Sequence, residues 1–305
     1  METFSAIPIF VAVVEKGSFS KAAESLGTSK SAVSKRISLL ENTLGVKLLH
    51  RTTRTLSLTE AGEQYFHHAV KALAAASEGI DSVTQLQGKP KGTLKISTPM
   101  SFGRLHLAPL VTDFLTHYPD IKLNMIMDDK KVDLVGSGFD VAIRAGEMKD
   151  STLIARPLAS CRSIVCASPD YLKKYGIPTS PEELINHNCI RFIYDYNGND
   201  WVFHHDKKVQ KVKVDGNYQV NNSEALQAAA LAGLGIAKIP TFVIGQDIIS
   251  GRLIPLFENH SLPTHTFYAV FPERRHLPAK VRVFLDFITD KLKGDHPYWE
   301  VNYIK

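Results

Sequence analysis

Apolar residues recur with a helical period between residues 33 and 44, and polar residues fill the opposite face. The apolar positions are spaced by four, three and four residues: Val33, Ile37, Leu40 and Leu44. The polar face carries Ser31, Ser34, Lys35 and Ser38. This pattern predicts an amphipathic helix that runs to about Thr43 and packs its apolar face against a core. Thr28 or Ser29 is placed to cap its first turn.

A shorter helix and a basic hairpin flank this segment. Ser18 is placed to cap a helix over residues 19–26, and Gly27 ends that helix with a left-handed turn. Further along, the alternation in Thr55–Leu58 predicts a short strand at the end of a basic hairpin. Two helices joined by a tight turn and followed by a basic hairpin are typical of a winged helix-turn-helix. Double-stranded promoter DNA is therefore the first partner to consider.

The distribution of charge favours the same partner. Residues 1–62 contain eight Lys and Arg against five Asp and Glu, a net charge of +3, while the other 243 residues carry only +2 of the total +5. Between Gly27 and Leu58 there are six basic residues and one acid, Glu41. Basic side chains are thus concentrated where contact with phosphate requires them. The alternative is an ordinary solvated basic face.

Nine residues are the candidates for DNA contact. Ser31, Ser34 and Lys35 are expected in the major groove with Lys30 at the helix start, and Arg36 is expected at a phosphate. The basic hairpin is expected to touch the backbone or the minor groove. The full set is Ser29, Lys30, Ser31, Ser34, Lys35, Arg36, Arg51, Thr53 and Arg54. For each of them the alternative is a solvated surface residue.

A long helix is predicted to follow, over about residues 60–87, with Thr59 as its cap. Its apolar positions are spaced alternately by three and four residues: Phe66, Ala69, Leu73, Ala76, Ile80 and Val83. This heptad spacing favours a two-helix coiled coil and hence a homodimer with two recognition helices. The alternative is an amphipathic helix that covers only its own domain.

Beyond a Gly- and Pro-containing hinge at residues 88–92, predicted strands alternate with predicted helices. This order is typical of βαβ units and a mostly parallel sheet, and its length favours two α/β lobes around a cleft. The predicted domains are a DNA-binding domain over 1–59, a linker helix over 60–88 and a regulatory domain over 89–305. We expect the first lobe to comprise about 92–161 and 267–292, and the second about 162–266.

Two predicted helix starts suggest where a small molecule would bind, because free N–H groups at a helix start attract anions. Ser101 and Asn222 lie at these starts, Arg144 ends a strand, and two aromatic residues could form an apolar wall. The candidate set is Ser101, Phe102, Asp128, Arg144, Trp201, Phe203, Asn222 and Ser223. It indicates a small carboxylate or an aromatic acid. Alternatively, Ser101 and Ser223 are simple caps, and Arg144 pairs with Asp140 or Asp128.

Signals for other classes of protein are weak. The sequence has no GxSxG, P-loop or HExxH motif, so we expect neither an enzyme nor a cofactor. A polar turn is favoured over a metal site at His204-His205-Asp206. The three cysteines, Cys161, Cys166 and Cys189, are too few for a disulfide framework. A regulator that senses redox state, through Cys161 and Cys166, or pH is an alternative to one that responds to a ligand. No signal peptide and no apolar run of ~20 residues is seen, so a cytoplasmic protein without a membrane partner is expected.

The chain resembles the LysR-type transcriptional regulators over essentially its full length. The residues that carry this resemblance include Ala22-Ala23, Ser31–Lys35, Leu40-Glu41, Leu58–Gly62, Tyr118-Pro119-Asp120, Asp133–Val135, Phe139–Gly146 and Gly233–Ala237. The amino-acid sequence around residues 98–103 and 133–146 resembles that of the CrgA-like subgroup of the family. Lys30, Lys35 and Leu49 depart from common family usage. The first two could change which bases are read, so the operator sequence does not carry over, and Leu49 is a core substitution.

The resemblance implies a fold that is α/β overall. An all-α winged helix-turn-helix domain is joined by a long dimerising linker helix to a two-lobed α/β regulatory domain, built like type 2 periplasmic binding proteins. It also implies a homotetramer that binds promoter DNA, responds to a small-molecule effector in the interlobe cleft, and can contact RNA polymerase. A solute-binding protein would have similar lobes, but the DNA-binding half argues against that alternative.

Overall fold

A computed structural model of the protein describes residues 2–51, 56–84, 89–130, 133–134, 136–146, 153–195, 197–206, 208–273, 277–293 and 297–300. The chain divides into two compact units. One contains residues 1–89 and 132–139, and the other contains residues 90–131 and 140–305. Among the helices within the described ranges, none is both long enough and apolar enough to span a bilayer.

The described part of the first unit contains four helices and a two-stranded antiparallel hairpin. The elements are α1 (Glu2–Lys16), α2 (Phe19–Ser25), α3 (Lys30–Leu44), β1 (Leu49–Arg51), β2 (Leu56–Leu58) and α4 (Glu60–Thr84). The Ser18 hydroxyl caps α2 and the Ser29 hydroxyl caps α3, each by accepting a backbone N–H. Gly45 ends α3 at φ 68°, a left-handed conformation that glycine adopts without strain. The predicted helix-turn-helix and hairpin are therefore confirmed.

One apolar core holds this unit together. Val33, Ile37 and Leu40 of α3 are buried in it against residues of α1 and α2. Leu44 was expected on the same face, but it is 39% exposed, so the inner face of α3 ends at Leu40. Burying apolar side chains of this size contributes roughly 1.5–3 kcal/mol each, which is what fixes the orientation of α3.

The first half of the predicted heptad seam belongs to that same core. Ala69 is buried in it, and Phe66 and Leu73 pack against it. Ala76, by contrast, is exposed. The side chains of Ile80 and Val83 lie outside the described residues. The alternative interpretation therefore holds for the part from Phe66 to Leu73, which covers its own domain.

Twelve strands lie in the described part of the second unit. They are β3 (Gly92–Thr98), β4 (Ile121–Met127), β5 (Val141–Ala145), β6 (Leu153–Cys161), β7 (Ser163–Ala167), β8 (Cys189–Phe192), β9 (Asp200–His205), β10 (Lys208–Lys213), β11 (Gln219–Val220), β12 (Ile236–Pro240), β13 (Ile254–Leu256) and β14 (His265–Pro272). The accompanying helices include a π-helical turn over Gly103–Leu107 and a 3-10 turn over Pro181–Asn186, and the α-helices are α5 (Met100–Phe102), α6 (Ala108–His117), α7 (Pro169–Tyr175), α8 (Ser223–Leu231), α9 (Thr241–Ile249) and α10 (Ala279–Leu292).

Ten of these strands form two five-stranded sheets, one in each lobe, and β9 and β10 form a separate antiparallel hairpin. The first has the order β4-β3-β5-β14-β6, and its strands β4, β3 and β5 are parallel. The second has the order β11-β8-β12-β7-β13, and its strands β11, β8 and β12 are parallel. The chain passes from the first sheet to the second at Arg162 and returns between β13 and β14. Each parallel part directs its carboxyl-terminal edge to loops, where α/β proteins bind ligands.

Candidate DNA-binding surface and effector cleft

The outer face of α3 presents the basic and hydroxyl side chains that the sequence predicted. Lys30, Ser31, Lys35 and Arg36 are all exposed, while Val33 on the opposite face is fully buried. Because the apolar face is held in the core, the polar face must point to solvent. An exposed helix face with three cations and a hydroxyl is able to contact both phosphates and base edges.

The remaining DNA-contact candidates have more restricted positions. The Ser29 hydroxyl accepts the Ala32 N–H at 3.2 Å and lies 3.0 Å from the Ser31 hydroxyl, so its first role is to cap α3. Ser34 is half-buried. Thr53 and Arg54 lie outside the described residues, as does the side chain of Arg51, so their contacts stay predictions.

Strand register explains why the first group of cleft residues comes together. β3 and β4 are parallel with Thr98 opposite Met127, so the residues that follow each strand lie at the same sheet edge. At this edge, Asp129 Oδ1 accepts the Met100 N–H at 3.3 Å. An internal carboxylate therefore already occupies the helix start at which an anion was predicted. Asp129 was missed in the sequence, although its place directly after Asp128 was an available signal.

A second group joins this edge from the other lobe. Asn222 caps α8 by accepting the Ala225 N–H at 2.9 Å, and its Nδ2 donates to the Ser101 hydroxyl at 3.4 Å. The same Nδ2 lies 3.2 Å from Met100 Sδ. Asn222 and Ser101 thus meet as predicted. Ser223 begins α8 half-buried, and neither serine is a cap, because Pro99 precedes α5 and Asn222 caps α8.

Arg144, the second-last residue of β5, belongs to this group. It donates from Nη2 to the Ser97 hydroxyl at 2.8 Å and from Nη1 to the Ile143 carbonyl at 2.8 Å. Burial lowers the pKa of Arg144, while the nearby charges of Asp129 and Asp128 oppose that shift. Burial also raises the pKa of Asp129. The site therefore combines one partly buried cation, Arg144, with two carboxylates, Asp128 and Asp129, a formal charge of −1 for these three groups.

Asp140, one of the two alternative partners of Arg144, binds other groups instead. Asp140 accepts the Lys95 N–H at 2.9 Å and lies 3.6 Å from Lys280 Nζ. Asp128 is half-buried and accepts the Lys130 N–H at 2.9 Å, and it acts on Arg144 through its charge. Asp140 therefore binds the backbone of β3, and Arg144 remains at the cleft edge.

An ion pair across the two lobes was not predicted. Arg104 Nε donates to Glu224 Oε2 at 3.0 Å, and a second contact joins Arg104 Nη2 to Glu224 Oε1. Each residue lies within about one turn of the helix start on its own lobe. With the contact between Asn222 and Ser101, this pair connects the lobes through polar groups at the cleft.

Comparison with known sequence families decides what this arrangement belongs to. The family model described as "LysR substrate binding domain" matches residues 87–293. The model described as "Bacterial regulatory helix-turn-helix protein, lysR family" matches residues 4–63. The chain belongs to the LysR family of DNA-binding transcriptional regulators. It is not an enzyme, because the members it resembles are transcriptional regulators.

Two relatives and two solved structures show how far this LysR-family membership extends. The chain is 40% identical to the regulator CrgA of Neisseria meningitidis serogroup C over 94% of this chain and 96% of that protein. It is 33% identical to the activator TtdR of Escherichia coli over 92% and 91%. The solved structure of CrgA from Neisseria meningitidis matches 95% of this chain and 99% of its own chain, at 39% identity and a TM-score of 0.62. The full-length structure of AphB from Vibrio cholerae matches 94% of this chain and 98% of its own chain, at 28% identity and a TM-score of 0.63.

The assignment of three residues of this LysR-family chain to the effector site is wrong, because their side chains lie in hydrophobic cores and not at the cleft. Phe102 is fully buried and stacks on Phe267 with ring centroids 4.0 Å apart. Trp201 and Phe203 are buried in the core of the second lobe with residues such as Val214. Their rings have no exposed face to offer a ligand. The predicted apolar wall therefore does not exist at these positions.

The cysteines of this regulator are buried free thiols. Burial raises the pKa of Cys161 and of Cys189 to about 12 each, and it raises that of Cys166 as well. The thiolate is the reactive form, so at neutral pH all three side chains are protonated and shielded. Within the described part of the chain, no group of three or more potential metal ligands occurs.

Proposed function

We propose that this regulator reads promoter DNA with the exposed face of α3 and responds to a small carboxylate bound between its lobes. The DNA contact is supported by the opposition of faces on α3, where Val33 and Ile37 are buried and Lys30, Lys35 and Arg36 are exposed. A surface with this charge releases counterions from DNA, so its affinity must fall steeply with salt.

The ligand site is supported by one observation above all. Ser101 and Asn222, which follow strands of different sheets, are hydrogen-bonded to each other. A ligand that replaces this bond would contact both lobes at once, and so favour one lobe arrangement over another. Differential contact of this kind is what an effector needs in order to change the activity of the protein.

The burial of the predicted aromatic wall favours a small carboxylate over an aromatic acid. The Met100 N–H already binds a carboxylate, that of Asp129, and Arg144 lies beside it. A ligand carboxylate would take this position and displace Asp129 toward solvent. An aromatic acid has less support, because the rings of Phe102 and Trp201 are buried in cores. Met100, which is 40% exposed, offers an apolar contact.

Calorimetric titration with a panel of small mono- and dicarboxylic acids tests the effector proposal. We expect one acid of the panel to bind wild-type protein, Ser101→Ala to weaken that binding, and Ser250→Ala to leave it unchanged. Ser250 is a suitable control because its hydroxyl donates to the Asp247 carbonyl at the end of α9. Binding that Ser101→Ala leaves intact would contradict the assigned site.

The assembly is also part of the proposal. We expect a homodimer through the part of α4 beyond Leu73, since Ala76 is exposed there and Ile80 and Val83 continue the heptad spacing. Two such dimers would form the homotetramer, in the cytoplasm, where promoter DNA and RNA polymerase are both available. Light scattering of Ile80→Asp tests this, with a shift to a smaller species as the expected result.

A further inference from the structure

Glu41 is a buried carboxylate in the last turn of α3, and only 2% of its surface is exposed. A buried carboxylate is costly unless its charge is paired and its oxygens are hydrogen-bonded. The identity of its partners therefore indicates what it does. In Glu41 these partners belong to the segment that connects α3 with the hairpin.

The two carboxylate oxygens of Glu41 bind different groups. Oε1 accepts the backbone N–H of Leu48 at 3.0 Å and of Leu49 at 3.2 Å. Oε2 lies 2.9 Å from Lys47 Nζ. The Glu41 carbonyl also accepts the Val46 N–H at 3.2 Å. One residue of α3 thus bonds to four consecutive residues that lead into β1.

The same segment is bonded on its other side to the start of α4. The Thr59 hydroxyl donates to the Lys47 carbonyl at 2.7 Å and accepts the Gly62 N–H at 2.9 Å. The Thr59 N–H donates to the Leu48 carbonyl at 3.0 Å. A Cβ atom at Gly62 would lie 2.0 Å from that carbonyl oxygen, so only glycine permits this approach.

We infer that Glu41 is a positioning residue for DNA recognition: its carboxylate fixes the hairpin and the start of the linker helix in one orientation relative to α3. The inference rests on the proposed DNA contacts of α3 and the hairpin. Leu48 and Leu49 are already buried in the core, and apolar contact is non-directional. Hydrogen bonds are directional, so the two bonds to Oε1 supply the orientation that burial alone does not.

Two substitutions at Glu41 separate this role from simple stabilisation. Glu41→Gln keeps an Oε1 that can accept both backbone N–H groups, and it replaces Oε2, which binds Lys47, with an uncharged NH2 group. Glu41→Leu has a similar size and removes every polar group of the side chain. The probe is a DNA duplex selected from a randomised pool by the wild-type full-length protein, and footprinting on it reports the two contact regions separately.

The expected result is a split between the two regions. Glu41→Leu keeps protection of guanine N7 in the major groove, where α3 binds, but loses hydroxyl-radical protection of the flanking backbone. Its affinity falls about tenfold, and the slope of log affinity against log salt becomes shallower by about one for each phosphate that the protein no longer touches. Glu41→Gln restores both measurements. A purely structural residue would lower the thermal midpoint without changing the shape of the footprint.

The remaining results of the footprinting experiment also support or overturn the role of Glu41. A complete footprint and an unchanged salt slope in Glu41→Leu overturn it. If that variant does not fold, Thr59→Val is measured instead, and the same selective loss of flanking protection supports the inference while a complete footprint overturns it. Absence of flanking protection in the wild type overturns the hairpin contact together with this inference, whereas guanine protection still tests α3 separately.

Discussion

Asn222 Nδ2 donates to the Ser101 hydroxyl across 3.4 Å, although the two residues follow strands of different sheets and are 121 residues apart. Two parallel edges meet at this bond, since Ser101 follows β3 and Asn222 follows β11. The ion pair of Arg104 with Glu224 is the neighbouring connection. The edge at which a ligand is expected is thus also the place where the lobes are joined.

Removing the Arg104–Glu224 pair should loosen the cleft with little loss of stability. The Arg104 side chain is largely exposed, so the pair contributes about 0–1 kcal/mol. We expect Arg104→Ala to speed hydrogen exchange of backbone amides at the start of α8 and to leave the thermal midpoint nearly unchanged. Arg156→Ala is the matched control, because Arg156 pairs with Asp286 inside one lobe at 2.8 Å. Equal exchange in both variants would contradict this role of the pair.

The pair of Arg162 and Glu300 should respond unequally to loss of either partner. Arg162 lies at the crossover between the lobes and is 38% exposed, while the Glu300 side chain is 1% exposed and also accepts from the Thr241 hydroxyl at 2.8 Å. Arg162→Ala removes the cation that pairs with the buried Glu300 carboxylate, which lowers the free energy of unfolding by about 3–5 kcal/mol. Glu300→Ala leaves an arginine that can turn to water, so its cost is smaller. Urea unfolding of both variants measures the order, and the reverse order would disprove this account.

The regulatory unit should lose stability in mild acid through His106. Its Nε2 donates to the Phe242 carbonyl at 2.9 Å and its Nδ1 accepts from the Tyr298 hydroxyl, which describes a neutral ring. Burial lowers the pKa of His106, so the unfolded state binds the proton more readily. Stability from this group is present above pH ~6.5 and is lost as the pH falls below it. We expect the thermal midpoint of wild type to drop more than that of His106→Gln between about pH 8 and about pH 5.5. Parallel curves would exclude this role.

The three thiols should resist modification in the folded protein. Cys161 and Cys189 have pKa values raised to about 12 by burial, and Cys166 is fully buried. Iodoacetamide at about pH 8 is therefore expected to label none of them in native protein and all three in denaturant. Mass spectrometry counts the labels. Rapid native labelling of Cys161 would instead favour the redox alternative.

The spacing of apolar residues along the sequence correctly predicted the features of the fold that depend on neighbouring residues. The spacing of Val33, Ile37 and Leu40 placed α3 correctly, because a helix with one apolar face has one way to bury it. The same reasoning could not tell which surface covers Phe66 and Leu73, since a heptad seam fits its own core as well as a partner helix. The structure assigns these two to their own core.

The cleft was predicted less well because its contacts are distant in sequence. Ser101 and Asn222 were found through their helix starts, which are local signals. Trp201 was placed at the cleft, yet it is buried in a core that it shares with residues of other elements, such as Tyr171 of α7, a relationship that no local pattern reveals. Arg104 and Glu224 are 120 residues apart, and only the assembled lobes bring them together.

Fluorescence anisotropy with a selected duplex tests the central claim, that the exposed face of α3 reads DNA, most directly. Full-length wild type, Lys35→Ala and Lys122→Ala are titrated at fixed salt. Lys122 is an exposed lysine on β4 in the regulatory unit, so it controls for loss of charge alone. We predict that Lys35→Ala weakens binding by ~1–3 kcal/mol, as expected for a lysine that contacts a guanine, and that Lys122→Ala binds like wild type. Equal affinities for all three proteins would contradict the claim.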